Sequence, residues 1–367
     1  MDEQFYGLKI KKLVLHEIFQ GGNDDTRKSP KFNSKLANLT KDEISVLEQR
    51  VLLSLSKTSS SIETDIHNPL YNSAFLKVID YFKTAYIKSN TSAQDKDNKF
   101  LEISKHLTND LSKACTRPVI PGGVVIIFTG RTGIKNNRYF AIIKAEKQDG
   151  FTMEENNSEM VMKLINDLFL TQNQKLYKIA IYIEKEEREY TNLPLDINDN
   201  FITYLYDKNV SASSTSQLAD YFYHAFLDWE IKQDNKQYTT QFYDETLKFI
   251  NATNLTDEEK VQYATALHTY LLLDKTNTLN VYDFASTYLP DDFIDDYINH
   301  ISSQGIPTRN IVKDTSMLSS KLKKRNMYFS SQVKISAPSK DFNDIIKISN
   351  EEPGVTTIKI KGNIIRQ

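Results

Sequence analysis

Cysteine is almost absent from this sequence, since Cys115 is the only one among 367 residues. One thiol cannot form an internal disulfide, and zinc sites built from clustered cysteines are excluded. No apolar run approaches the roughly 20 residues that a membrane-spanning helix needs. Residues 1–10 lack the basic segment and the apolar core of a secretory signal. We therefore expect a cytoplasmic protein that makes no use of a membrane.

The chain also has no large excess of positive or negative charge. The chain has 46 Lys and Arg residues against 48 Asp and Glu residues, a net charge of −2. A protein that coats DNA through bulk electrostatics is basic overall, so any contact with nucleic acid must come from a local patch. Residues 306–367 hold 12 basic and 5 acidic residues, a net charge of +7. This excess predicts either a phosphate-contacting surface or a solvated basic tail.

Motifs for catalysis are missing as well. None of the six histidines has the spacing of a metal site. Residues 130–133, GRTG, resemble part of a phosphate loop, but the Lys-Ser/Thr pair is missing and a strand follows instead of a helix. A metal-dependent nuclease would have to use Glu146 or Glu184 with Lys144 or Lys185, in a spacing that metal nucleases do not use. We therefore expect a non-enzymatic protein with no catalytic residues, no metal and no cofactor.

Two apolar runs in the middle of the chain predict the centre of a sheet. Residues 124–128 and 139–143 are rich in β-branched and aromatic side chains, and the polar segment 129–137 between them is typical of a turn. Because both runs are almost continuously apolar, we expect antiparallel strands that are covered on both faces. Residues 8–18 alternate only in part, which predicts a strand with a slip in its period.

Helical patterns dominate the rest of the chain. Capping boxes at Thr40–Glu43 and Thr256–Glu259 predict two helix starts. Apolar spacing predicts further helices over residues 74–87, 98–115, 160–170, 217–230, 238–252, 281–288 and 292–303. Alternating or continuous apolar runs predict strands over residues 175–184, 201–206, 327–335, 344–348 and 355–361.

These elements predict an α+β fold in two domains. The first, residues 1–209, has a mostly antiparallel sheet with covering helices. The second, residues 210–367, is a helical domain that ends in a small β-sheet and carries the basic patch. The polar linker at residues 208–216 sets the boundary between them.

Six short segments occur in a characteristic order along almost the whole chain. They are residues 13–18 (LVLHEI), 100–104 (FLEIS), 122–125 (GGVV), 138–142 (RYFAI), 219–227 (ADYFYHAFL) and 355–362 (VTTIKIKG). In this order they resemble the bacterial nucleoid-associated protein family typified by NdpA (YejK), and the chain is similar to a distant member. Asp228 stands where that family usually has Gly. The resemblance implies association with the nucleoid, with DNA and with type II topoisomerases, and it transfers no catalytic residues.

The favoured function is therefore a non-enzymatic, nucleoid-associated protein that binds DNA, DNA-processing proteins such as type II topoisomerases, or both. Phosphate contacts are assigned to the basic patch, which consists of Lys321, Lys323, Lys324, Arg325, Lys334, Lys359 and Lys361. Tyr328 and Phe329 follow its densest part, and for both we expect core packing rather than base stacking. The expected location is the cytoplasm and the nucleoid.

Two alternatives stand against this function. One is a protein–protein adaptor in a mobile-element or phage-defence system, which would use acidic surfaces at residues 291–296 and 184–189. The less favoured one is the metal-dependent nuclease. The sequence leaves the form of DNA, the protein partner and the oligomeric state open, including a homo-oligomer.

Overall fold

The computed structural model describes ten stretches of the chain: residues 4–23, 25–55, 61–86, 92–146, 177–190, 197–207, 220–232, 235–274, 276–352 and 355–365. The predicted helix at 160–170 and the predicted linker at 208–216 lie outside the described residues. The chain divides into two compact units, Met1–Lys232 and Gln233–Gln367. This division falls later than the expected boundary after residue 209, because residues 229–231 pair with the sheet of the first unit.

The first unit is built on an antiparallel sheet of eight described strands. In chain order they are β1 Lys9–Ile18, β2 Lys31–Phe32, β3 Ser61–Ile66, β4 Gly123–Thr132, β5 Asn137–Glu146, β6 Tyr177–Glu184, β7 Phe201–Tyr206 and β8 Trp229–Ile231. Their order in the sheet is β2-β1-β4-β5-β6-β7-β3-β8. A register shift between Ile10 and Lys12 of β1 confirms the predicted slip in the period of that strand.

Helices cover both faces of this sheet. They are α1 Lys41–Leu55, α2 Ser73–Tyr86 and α3 Ala93–Ala114, with a π-helical turn at Tyr221–Phe226 and a 3-10 turn at Ile197–Asn200. On one face, Ile143 of β5 belongs to the apolar layer that also contains Val51 of α1. On the other face, Phe140 of β5 contacts Tyr81 of α2 and Phe100 of α3. The double coverage predicted for the central strands is therefore confirmed.

The helix predicted over residues 217–230 is confirmed only over residues 220–226 of its described part, and its predicted end is wrong. The chain forms the π-helical turn and then enters β8 at Trp229. Asp228 lies between them with a φ of +50°. This left-handed conformation suits glycine best and is tolerated by Asp. A helix cannot continue through this conformation.

The second unit is mostly helical and ends in two β-hairpins. Its helices are α4 Asn235–Ala252, α5 Asp257–Leu272, α6 Val281–Tyr288, α7 Asp291–Ser303, α8 Ser319–Lys323 and α9 Phe342–Ile345, with a 3-10 turn at Ser316–Leu318. Its strands are β9 Thr278–Leu279, β10 Ile311–Val312, β11 Lys324–Tyr328, β12 Lys334–Pro338, β13 Ile346–Glu352 and β14 Val355–Ile360. Among the described residues of this unit they form three antiparallel pairs, β9 with β10, β11 with β12, and β13 with β14.

The predicted α+β fold is confirmed, and so are both capping boxes. Thr40 and Glu43 exchange hydrogen bonds between side chain and backbone N–H, as do Thr256 and Glu259. The single strand predicted over residues 327–335 is wrong, because a turn closed by Phe329 N–H donating to the Val333 carbonyl separates β11 from β12. In the described part of the chain, every helix is too short or too polar to span a bilayer.

Candidate nucleic-acid interface

The β11–β12 hairpin has one inward and one outward face. Arg325 and Ala337 are buried, and Met327 and Ile335 pack with them over a small apolar cluster. Neighbouring residues of a strand point to opposite sides of the sheet. The outward face therefore carries the exposed side chains of Lys324, Asn326, Tyr328, Lys334 and Ser336.

The β13–β14 hairpin is organised in the same way. Ile346, Ile348 and Ile358 face the same apolar cluster. On the opposite face, Lys347 of β13 lies directly across from Lys359 of β14. Both are exposed, and so is Lys361, which lies two residues beyond Lys359. Two like charges directly opposite each other destabilise a strand pair, so this face concentrates positive charge at a cost to the hairpin.

Arg325 has a structural position, in contrast to its assignment as a phosphate contact. It packs on the ring of Phe342, 4.0 Å from guanidinium carbon to ring centroid. Its Nη2 donates to the Val261 carbonyl of α5 at 3.0 Å, and its Nη1 donates to the Thr265 hydroxyl. Burial lowers the pKa of the Arg325 guanidinium to about 10, which leaves it charged at neutral pH. The alternation of β11 turns this side chain inward, where it fastens the strand to α5.

The lysines beside Arg325 differ in their surroundings. Lys321 Nζ donates to both carboxylate oxygens of Asp244 at 2.7 and 2.9 Å and lies 5.7 Å from the ring centroid of Tyr243. Its charge is therefore balanced within the unit. Lys323 and Lys324 are exposed at the junction of α8 and β11. These two lysines are better placed than Lys321 to meet an external anion.

A groove of about 1100 Å³ lies within the second unit, lined by parts of α4, α5, β11 and the β13–β14 hairpin. Lys260, Lys321 and Lys324 supply cations to its lining, and Asp244 and Asp257 supply carboxylates. Asp244 is paired with Lys321, and Asp257 accepts a hydrogen bond of 2.9 Å from the Thr356 hydroxyl. The groove is of mixed charge, and apolar side chains supply about half of its lining.

Two residues of this region differ from the sequence-based assignment. Lys347 is part of the basic excess but is not assigned to the predicted patch. Its position across from Lys359 is set by the register of the two strands, which the charge count does not reveal. Core packing is the sequence-based expectation for Tyr328, yet 73% of its surface is exposed. Its ring centroid lies 5.2 Å from Lys334 Nζ. Only Phe329, which is partly buried, fits the expected packing role.

Glu184, one of the two carboxylates considered for a nuclease, is fully buried at the end of β6. Arg138 donates to both of its oxygens, Nε at 2.5 Å and Nη2 at 2.7 Å, and the Tyr190 hydroxyl donates to it at 2.5 Å. These bonds neutralise the carboxylate and hold it in place. Glu184 is thus a structural ion-pair partner, and it contributes no acidic surface at residues 184–189.

The other carboxylate, Glu146, lies 3.6 Å from the ammonium of Lys144. Lys144 is itself fully buried and donates to the Pro121 carbonyl at 2.9 Å. Burial lowers the pKa of this ammonium to about 8. The residue across from it in the sheet, Lys178, is paired with Asp207, and both ammonium groups lie against the Tyr221 ring. Lys144, Lys178 and Asp207 are therefore buried charges that do not line an open site, and Glu146 beside them is partly exposed.

Among the described residues, no group of three or more His, Cys, Asp or Glu side chains is arranged to hold a metal ion. Comparison with known proteins gives one family. A family model described as nucleoid-associated protein YejK matches residues 40–366, which is most of the chain. No curated protein matches this chain.

Proposed function

The chain belongs to the nucleoid-associated protein YejK family, and from this premise we propose that it binds DNA through the outward faces of its two C-terminal hairpins. Its role is a nucleoid-associated one. The proposed contact, called the basic hairpin surface below, consists of Lys323, Lys324, Lys334, Lys347, Lys359 and Lys361. Lys321 and Arg325 are left out of it because the first is neutralised by Asp244 and the second is buried.

The observation that carries the proposal is the placement of Lys347 directly across from Lys359. The hairpin would be more stable with a neutral or acidic partner at one of these positions. A phosphate that lies between the two ammonium groups removes their repulsion. Ser349 and Thr357 form the next pair on this face, and hydroxyl groups are common donors to phosphate oxygens. The outward face should therefore be more stable with a bound polyanion than when it is only solvated.

The distribution of charge explains how a weakly acidic protein can hold DNA. Residues 233–305 carry 4 basic and 12 acidic residues, whereas residues 306–367 carry the net charge of +7. Screening at physiological salt limits the reach of exposed charges to about 8 Å. The acidic helical segment therefore does not cancel an attraction that acts at the hairpins. DNA would be held locally instead of coating the protein.

Replacing Lys347, Lys359 and Lys361 together by Ala tests the proposal. Affinity for duplex DNA, measured by fluorescence anisotropy over a salt series, should fall for every sequence tested. The log–log salt slope should become shallower by about 0.9 for each phosphate that the variant no longer neutralises. The matched control replaces Lys11, Lys35 and Lys135, three exposed lysines of the first unit, and should bind as the wild type does. Unaltered affinity and slope in the hairpin variant would mean that the surface is only solvated.

We also propose that the protein does not cleave or otherwise modify the DNA that it binds. Its support is that Glu184 is engaged by Arg138 and that Glu146, which is partly exposed, lies beside the buried ammonium group of Lys144. Incubation with plasmid, single-stranded DNA, RNA or nucleotides in the presence of Mg²⁺ or Mn²⁺ should give no turnover. Reproducible cleavage that disappears in Glu146→Ala would make a nuclease the correct function.

A protein partner is the second candidate, and the acidic segment 233–305 favours it. On α7 the side chains of Asp291, Asp292, Asp295 and Asp296 are all exposed. A basic surface of a DNA-processing protein such as a type II topoisomerase, or of another component of a mobile-element or phage-defence system, would fit them. Pull-downs with and without nuclease treatment separate the two functions, because a direct protein contact survives removal of the DNA.

A further inference from the structure

We propose that the β11–β12 hairpin binds unpaired bases of a DNA strand by stacking on Tyr328. This inference rests on the proposed function and specifies the form of DNA that the second unit takes. Stacking on aromatic side chains beside a basic track is the general mode by which proteins hold single strands.

The surroundings of Tyr328 distinguish it from an ordinary exposed side chain. A single exposed aromatic ring is common on protein surfaces, but this one is the last residue of β11 and lies directly across from Lys334. Asn326 and Ser336 form the next pair on the same face, and Lys324 lies beyond them. The face thus combines one π surface with two cations and two hydrogen-bonding groups. These are the groups that recognise the phosphate, face and edge of an unstacked nucleotide.

The hairpin holds the ring in a defined place. Arg325, three residues before Tyr328, is fastened to α5 through Val261 and Thr265, and Met327 packs on the apolar cluster below. Beyond the ring, Gln332 closes the turn with a φ of +66° and donates its N–H to the Phe329 carbonyl at 2.9 Å. Tyr328 therefore stands out from an anchored strand, so little order has to be gained when a base stacks on it.

The groove of the second unit gives a bound strand a path to follow. Lys324, Asn326 and Tyr328 form part of its lining, together with Lys260 and Lys321. A strand whose base stacks on Tyr328 can place neighbouring phosphates beside Lys324 and Lys260, whereas Lys321 is already paired with Asp244. In a duplex, each base face is covered by the adjacent base pair, so only an unpaired base can use the ring. The geometry thus favours single-stranded or locally opened DNA.

The test compares Tyr328→Leu with Tyr328→Phe. Anisotropy titrations use a labelled oligothymidine and a labelled duplex of the same length. Tyr328→Leu should weaken binding of oligothymidine at least about fivefold, the lower end of base–aromatic stacking, and leave duplex binding unchanged. Tyr328→Phe retains the ring and should bind both forms as the wild type does. Tyr71→Leu is the matched control, since Tyr71 of the first unit is 85% exposed.

A second readout does not depend on affinity. An iodouracil-substituted oligothymidine, irradiated in complex with the wild type, should form its adduct on Tyr328, as located by peptide mass spectrometry. An adduct found only at residues outside the β11–β12 hairpin would overturn the inference.

The remaining outcomes separate the inference from the proposed function. A wild type that binds neither form of DNA overturns both. If it binds both forms and Tyr328→Leu does not weaken oligothymidine binding, only the stacking inference fails. An equal loss in Tyr328→Phe and Tyr328→Leu would assign the contact to the hydroxyl group, and an equal loss on duplex DNA would exclude a preference for unpaired bases. Either result would overturn the inference while DNA binding stands.

Discussion

Replacing Lys347 by Glu should raise the stability of the second unit and at the same time weaken DNA binding. The reason is its position across from Lys359 on the outward face of the β13–β14 hairpin. In the wild type this pair is repulsive, and in Lys347→Glu it becomes attractive. Most damaging substitutions lower stability and binding together, so opposite changes in one variant are a specific signature of this geometry.

The size of both effects follows from the placement of the pair. Both side chains are exposed, so changing a like-charged to an oppositely charged cross-strand pair should add roughly 0.2–1 kcal/mol to the free energy of unfolding. For binding, the variant removes one phosphate contact and occupies Lys359 with an internal partner. The log–log salt slope on duplex DNA should therefore become shallower by about 1 to 2.

Urea denaturation measures the first quantity and fluorescence anisotropy the second, in one buffer and at several salt concentrations. Added salt should reduce the gain in stability, because the pair is exposed and therefore screened. Lys340→Glu is the control: Lys340 is exposed in the same basic region but precedes α9 and is not part of either hairpin. It makes the same change in net charge without changing a cross-strand pair.

A loss of stability in Lys347→Glu would refute the reasoning about the hairpin face, because the two side chains would then not be repelling each other. Binding equal to that of Lys340→Glu would refute the assignment of this face to DNA. In that case only the net charge of the region would matter, and a protein partner would become the leading function.

Three further predictions concern the framework. Ile127→Ala, in the fully buried centre of β4, should lower the free energy of unfolding by about 2–5 kcal/mol through reduced burial and a cavity, and an unchanged denaturant midpoint would contradict the placement of the sheet. Arg325→Ala should lower the free energy of unfolding by about 2–3 kcal/mol because it removes the ring contact and two charged hydrogen bonds. Lys323→Ala, at an exposed position, should change it by no more than about 0.5 kcal/mol. Equal denaturation midpoints for the two variants would show that Arg325 is not an anchor. Burial lowers the pKa of His16 to about 4, so between pH 6.5 and pH 4 the unfolded state binds a proton at this residue that the native state does not. His16 should therefore contribute a fall of about 2 kcal/mol to the free energy of unfolding of the first unit from pH 7 to pH 5. His16→Gln, which keeps a donor for the Ser104 hydroxyl, should show a correspondingly smaller loss over that range.

The α+β class and the central elements could be predicted because their signals are local. The capping boxes at Thr40 and Thr256 use residues only three positions apart, and they start α1 and α5 as predicted. The apolar runs of β4 and β5 need burial on both sides whatever covers them. The period slip in residues 8–18 likewise appears as the register shift of β1. In each case the signal in the sequence lies within one element, so the order of residues is enough to predict it.

The basic excess of residues 306–367 indicates the region of the candidate site but not its members. Arg325 and Lys324 are adjacent and equally basic in sequence, yet the first is buried against α5 and the second faces solvent. The charge count cannot separate them, because it is the packing of Met327 and Phe342 that decides which face of β11 turns inward. Tyr328 is placed on the outward face by the same alternation.

Other features depended on partners that are remote in the chain. Lys347 meets Lys359 only through the register of β13 with β14, and Glu184 is removed from the functional candidates by Arg138, which is 46 residues away in sequence. The end of the predicted helix before Trp229 reflects the pairing of β8 with β3. Local patterns record the interactions of a residue with its neighbours in the chain. Pairing, burial and neutralisation by distant residues are decided when the elements pack, and these are what separate a structural charge from one that is free to bind.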